Sequence, residues 1–263
     1  MRQSSIFLVL FSASITLAGC MLVRPNQHWE PFPHEIVRNQ LVIHSDAQIS
    51  RNQRLLGELA DQRMLINSKL GLAPTETPIH VYLYADEDAY TAFMNLRFPE
   101  MASRRAIFVG TDSQLSVYAY WGDHVAEDLR HEVSHGYLHA AVPNLPLWLD
   151  EGLAEYFEVG AGRQGFNTAH AQLLAAQANE NNWQPELTRL EALNSAADMT
   201  QQDYAESWAW VHYLLESDER SMVLTDYLHD LADGNPTEPL STRIGRRLIV
   251  PQSALAEHIR MLR

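Results

Sequence analysis

His131-Glu132-Val133-Ser134-His135, then Pro143-Asn144-Leu145-Pro146, then Leu147-Trp148-Leu149-Asp150-Glu151-Gly152-Leu153-Ala154-Glu155-Tyr156-Phe157: this stretch decides how the rest of the chain is read. In an α-helix successive residues are about 100° apart, so positions four apart differ by only about 40°. His131 and His135 therefore project from one face, one turn apart, and two imidazole nitrogens at that spacing can reach a single ion at roughly 2.0–2.1 Å. Glu132 lies about 100° round from His131. That makes it an awkward ligand but places it to hold a water and take its proton.

The two prolines break the chain, and a second helix begins at Leu147. Glu151 is embedded there among leucines and aromatic residues, where a lone carboxylate carries a heavy desolvation cost unless it is paired or bound to metal. Two antiparallel helices joined by a short turn return Glu151 towards the histidines. Glu151 is therefore either paired with another group or a third donor to an ion held by His131 and His135. Two nitrogens and one oxygen suit zinc and also other divalent ions. The only cysteine is Cys20, so neither an intrachain disulfide nor a thiolate cluster is available.

These residues resemble the gluzincins, the thermolysin-like and aminopeptidase-like zinc metallopeptidases of the MA clan. More closely they resemble bacterial lipoproteins of that clan known only as domains of unknown function. Specific matching runs over residues 123 to 158, with weaker agreement at 204 to 214. The resemblance implies a zincin-like fold, one zinc ion per chain on His131, His135 and Glu151, and Glu132 as general base. It implies Glu155, one turn beyond Glu151, as the carboxylate that orients a ligand histidine. Gluzincins take the donor for the developing oxyanion from a Tyr or His beyond the third ligand; Tyr204, in Asp203-Tyr204-Ala205-Glu206-Ser207-Trp208, is the first candidate and His212 the second. An edge strand before the metal helix pairs with substrate in these enzymes, and Leu115 to Ala119 is the segment in that place. The fifteen residues between His135 and Glu151 are fewer than in the better-known peptidases, which bears on the shape of the cleft.

Outward from the motif, the fold class is α+β: a mixed lobe at residues 36–121, then a helical lobe at 122–234, with the active-site cleft between them. Strands are expected at 41–44 and 79–84, a helix at 47–70 ended by Gly71, a short helix at 87–96, and a hairpin of 106–109 with 115–119. Helices are expected at 123–141, 147–158, 167–180, 186–193, 203–216 and 219–232. Residues 235–263 form an Arg-rich extension with a helix at 252–262. His139 continues the histidine stripe and reads as structural or supporting; Asp128 shares that face. Trp208, Trp210 and Tyr213 read as core, and Arg246 and Arg247 as a solvated face that suits anionic headgroups if a bilayer is near.

Residues 1–19 have a basic start, a short apolar core and Leu17-Ala18-Gly19 before Cys20. This is a secretory signal, too short to span a bilayer, which takes about 20 apolar residues. Leu-Ala-Gly-Cys also resembles the bacterial lipobox, so Cys20 is expected to carry a lipid, with residues 20–35 as tether. Met21 in place of aspartate favours the outer membrane over the inner. The expected location is outside the cytoplasm, facing the periplasm or cell exterior. A formal charge of −14 leaves no surplus of Lys and Arg for phosphates and argues against nucleic acid. The expected partners are a peptide or protein substrate and a membrane. The reading is thus a membrane-anchored zinc metallopeptidase acting by a metal-activated water. A non-catalytic metal-binding scaffold lipoprotein is the alternative from another class, and hydrolysis of cell-wall peptide stems a third.

Overall fold

A computed structural model describes residues 32–50, 53–160, 162–180 and 183–262. Five strands form one sheet: β1 His34–Arg38, β2 Leu41–Ser45, β3 Ile79–Tyr84, β4 Ala106–Gly110 and β5 Leu115–Tyr120, in the order β1-β2-β3-β5-β4. β1 pairs antiparallel with β2, β2 and β3 run parallel, β3 and β5 run parallel, and β4 returns antiparallel on β5. The parallel steps are forced by what lies between the strands. α1 (Arg54–Leu70) carries the chain from β2 to β3, and α2 (Glu87–Arg97) with β4 carries it from β3 to β5.

Period-two alternation sends Leu41, Ile43, Ile79, Val81, Leu83, Leu115, Val117 and Ala119 to one face, all buried. α3 (Val125–Ala141) lies across that face with Leu129, Val133 and Leu138 inward, and α1 packs beside it. Gly136 lets α3 come this close: a Cβ there would stand 2.9 Å from the Ile79 side chain. The other face bears His44, His80, Tyr82 and Tyr118, stacked across neighbouring strands and partly covered by α2.

After α3 the chain is mainly helical: α4 Leu147–Phe157, α5 Thr168–Asn179, α6 Leu187–Glu191, α7 Gln201–Leu215, α8 Asp218–Ala232, α9 Leu240–Arg247 and α10 Pro251–Met261. α7 is the centre of this part, with Trp208 and Trp210 fully buried, as expected of core residues. A capping box starts it: Thr200 accepts from the Asp203 N–H while the Asp203 carboxylate accepts from the Thr200 N–H.

Several expectations are corrected. The sheet and the helices do not form two lobes; one continuous hydrophobic core runs from Ile36 to Ile259, and Phe32–Arg263 is one compact unit. Residues 34 and 35, assigned to the tether, begin the edge strand His34–Arg38, because Ile36 can bury against β2 while its neighbours stay outside. The presumed edge strand, Leu115 to Ala119, is internal with partners on both sides, and β4 is the edge at that end. The C-terminal extension contains α9 as well as the expected last helix, and its Leu240, Ile244, Leu255 and Ile259 are buried. The signal segment, Cys20 and most of the tether lie outside the described residues. No helix among the described residues is long and apolar enough to cross a membrane.

Candidate metal centre

α3 and α4 are antiparallel, joined by residues 142–146, and this hairpin does what the proline break suggested. Gln62 of α1 clamps it, its Nε2 lying 2.9 Å from the Arg130 carbonyl, 2.7 Å from Ser134 Oγ and 3.1 Å from the Phe157 carbonyl. Where the helices face each other, His131 Nε2 and His135 Nε2 are 3.2 Å apart, and Glu151 Oε2 is 3.6 Å and 3.7 Å from them. These are the three residues expected as ligands.

The outer nitrogens are occupied. His135 Nδ1 bonds to Asp150 Oδ1 at 2.9 Å and His131 Nδ1 to Glu158 Oε2 at 3.0 Å. An ionised carboxylate accepts only, so each Nδ1 carries a proton and Nε2 faces inward, holding either a second proton or a lone pair for a metal. Two Nε2 atoms 3.2 Å apart repel unless a proton or a metal ion stands between them. A triangle with sides of 3.2, 3.6 and 3.7 Å has a circumscribed radius of about 2 Å. That matches zinc–nitrogen and zinc–oxygen bonds of about 2.0–2.2 Å. The donor set and its spacing therefore fit a divalent metal ion.

Electrostatics agree with the geometry. Burial pushes the His135 imidazolium down, but the Asp150 charge and hydrogen bond outweigh it and raise the group to about 9. His131 is raised well above its usual value against burial by Glu151 and Glu158. The site is built to hold positive charge. Asp150 also accepts from His139 Nε2 at 2.8 Å, and the two histidines keep it ionised despite burial. His139 is thus a supporting residue, one of the two roles foreseen for it.

Glu132 stands in the open space beside the triangle. It lines two cavities, of about 430 and 500 Å³, that meet at His131, Glu132 and Arg104. Burial raises its carboxyl above the ordinary carboxylate range, with His131 and His135 pulling the other way. β4 borders the same space, with Ala106 on the first cavity and Ile107 and Phe108 on the second.

Tyr204, at the start of α7, interacts through its hydroxyl with the Arg104 guanidinium. Burial and the Glu151 charge raise the phenol, so it stays protonated and able to donate. Two other expectations are corrected. Glu155 bonds to His170 Nε2 at 2.7 Å, and it is Glu158, almost one turn further, that holds His131. Glu158, the C-cap of α4, keeps a helical backbone and so continues the face of Glu151 and Glu155, while Asn167 Nδ2 fixes its other oxygen at 2.8 Å. His212 is turned away from the metal donors and bonds to His258 Nε2 at 2.9 Å. Asp128 is held by Arg105, with Oδ1 2.6 Å from Nη2.

Sequence reasoning missed Arg104, Asp150, Glu158, Asn167 and His170. Arg104-Arg105, a basic pair before an apolar strand in an acidic chain, was a usable signal for the first. Asp150 adjoins the candidate ligand Glu151, and only the returning helix shows which histidine it meets.

Residues 126–238 match a family described as Protein of unknown function (DUF1570). The match brackets His131, Glu132, His135, Glu151 and Tyr204, and the family carries no assigned activity. No curated protein matches the chain.

Proposed function

We propose that the protein is a membrane-anchored, zinc-dependent metallopeptidase of gluzincin type. The observation that carries the reading is the metal triangle: three donors about 2 Å from one point, each histidine backed by a carboxylate, with Glu132 beside them in a cavity. A bound zinc ion would supply Lewis acidity, polarising a substrate carbonyl and making water a nucleophile near neutral pH. Glu132 takes the proton from the attacking water and returns it to the leaving amine; its raised carboxyl suits both steps. Tyr204, with Arg104 at its hydroxyl, donates to the developing oxyanion. An extended peptide runs along the free edge of β4 by main-chain pairing, which gives affinity without strong sequence choice.

The open cavities favour turnover over the scaffold reading, since a purely structural site closes on four protein ligands. Membrane attachment rests on Cys20, the single cysteine, at the end of Leu17-Ala18-Gly19-Cys20.

The test is metal content by plasma mass spectrometry of residues 21–263, with Glu132→Gln and His135→Ala, followed by a peptide-library screen. The expected result is one zinc in the native protein and in Glu132→Gln, none in His135→Ala, and cleavage by the native protein alone. Cleavage retained by Glu132→Gln overturns the mechanism. A cobalt-loaded site whose spectrum ignores a hydroxamate indicates a closed site and the scaffold.

A further inference from the structure

Arg104 and Arg105 adjoin at the entry to β4, and the fold sends them to different partners. Arg105 is neutralised on α3, its Nη2 lying 2.6 Å from Asp128 Oδ1 and 3.6 Å from Glu127 Oε1. Arg104 is anchored through its backbone, where its N–H bonds to the Met101 carbonyl at 2.9 Å. Its side chain meets the Tyr204 hydroxyl, and among the described residues no carboxylate forms an ion pair with it. Glu151 and Glu132 act on its charge from beyond ion-pair distance. These two arginines line the cavities at the metal centre, and Arg104 lines both, where they meet at His131 and Glu132.

Holding the Tyr204 hydroxyl takes one donor of a planar fork whose geometry matches a carboxylate through two parallel N–H···O bonds. The cleft does not supply that carboxylate. Glu151 belongs to the metal triangle, Asp128 to Arg105, Glu155 to His170 and Glu158 to His131. In the open cleft water solvates Arg104. A peptide filling the cavities would displace that water and cover an unpaired guanidinium, which is costly unless the peptide brings an anion of its own.

We propose that Arg104 determines specificity by taking a carboxylate of the peptide substrate, either its C-terminal α-carboxylate or an Asp or Glu side chain near the scissile bond. The proposal rests on the metallopeptidase reading and adds a substrate class to it.

The test uses zinc-loaded residues 21–263, which contain the whole compact unit. N-acetylated peptides are supplied as free acids, as C-terminal amides, and as amides with one Glu placed at each position in turn. A form bearing the carboxylate should be cleaved with kcat/KM about 10- to 100-fold above the plain amide, as expected of a charge-assisted pair. Preference for the free acid assigns the C-terminal carboxylate, and preference for one Glu position in the amide assigns the side chain. In Arg104→Gln the ratio between the forms should vanish, whatever happens to the rate itself through Tyr204, and Arg104→Lys should restore part of it. Calorimetric binding to Glu132→Gln should show the same preference and lose it when Arg104→Gln is added. Equal cleavage of all forms by the native protein, or a ratio that survives Arg104→Gln, would overturn the proposal. A lower rate in that variant with the ratio unchanged would overturn it too, leaving Arg104 as a support for Tyr204 alone. If no peptide is cleaved, the metallopeptidase reading fails, and calorimetry decides Arg104 separately: a carboxylate peptide bound no better than its amide overturns its role.

Discussion

Gly152→Ala sets two physical effects against each other, and the structure decides the sign. In an exposed helix the change gains about 1 kcal/mol of helix propensity. Gly152, however, faces α7: a Cβ would stand 2.6 Å from the Ser207 carbonyl oxygen and 2.7 Å from its carbon. Ordinary contact begins at 3.4 Å, so α4 and α7 must part by about 0.8 Å. The obstructing atoms are backbone in a buried helix, so no side-chain rotation relieves the clash. Overpacking costs about 1–3 kcal/mol, and a backbone obstacle that cannot rotate away puts this site at the upper end, about 2–3 kcal/mol, leaving a net loss of about 1–2 kcal/mol. For a unit of this size that lowers the melting temperature by about 2–8 °C. α4 carries Glu151 and α7 carries Tyr204, so the same shift should weaken zinc binding. Thermal unfolding by circular dichroism, with chelator and with zinc, reads both effects. A variant as stable as the native protein, or more stable, would mean that propensity rules and that the close approach of α4 and α7 is not a constraint.

Asp150→Asn keeps the volume but removes the charge that holds His135 and His139. Zinc affinity should fall about 10- to 100-fold in a competitive chelator titration, and an unchanged affinity would remove Asp150 from the site. Tyr204→Phe should lower kcat on a cleaved peptide about 100-fold with little change in KM, as expected on losing one oxyanion donor; a change confined to KM would argue against that role. His212 titrates at about 4 in the folded protein, lowered first by burial and then by His258. The unfolded chain takes up its proton near pH 6.5, so the unfolded state binds more protons between about 6.5 and 4, and stability falls as pH drops through that window. Metal-free protein should lose about 2 kcal/mol from this group between pH 7.5 and 5, and His212→Gln should lose that much less in urea unfolding. Equal pH slopes for the two proteins would refute the assignment.

Three residues of the centre were legible because helical geometry is local. Four-residue spacing puts His131 and His135 on one face whatever surrounds them, and a carboxylate in an apolar helix must find a partner. The same locality explains why the helices and central strands could be read from periodicity. The sequence also singled out Cys20, by its place after Leu17-Ala18-Gly19, and the charge balance, which depends on composition alone. What it could not reach were choices settled by packing between distant segments. Leu115–Tyr120 reads as an apolar strand either way, and only its pairing with both β3 and β4 makes it internal. Glu155 and Glu158 lie one turn apart on adjoining positions. Which of them meets His131 was decided by where Asn167 and His170 arrive at the start of α5. Arg104 joined Tyr204 across a hundred residues of chain, and His212 was drawn to His258 because α10 packs on α7. Local periodicity fixes which face of an element a side chain takes; only the folded core determines what stands opposite it.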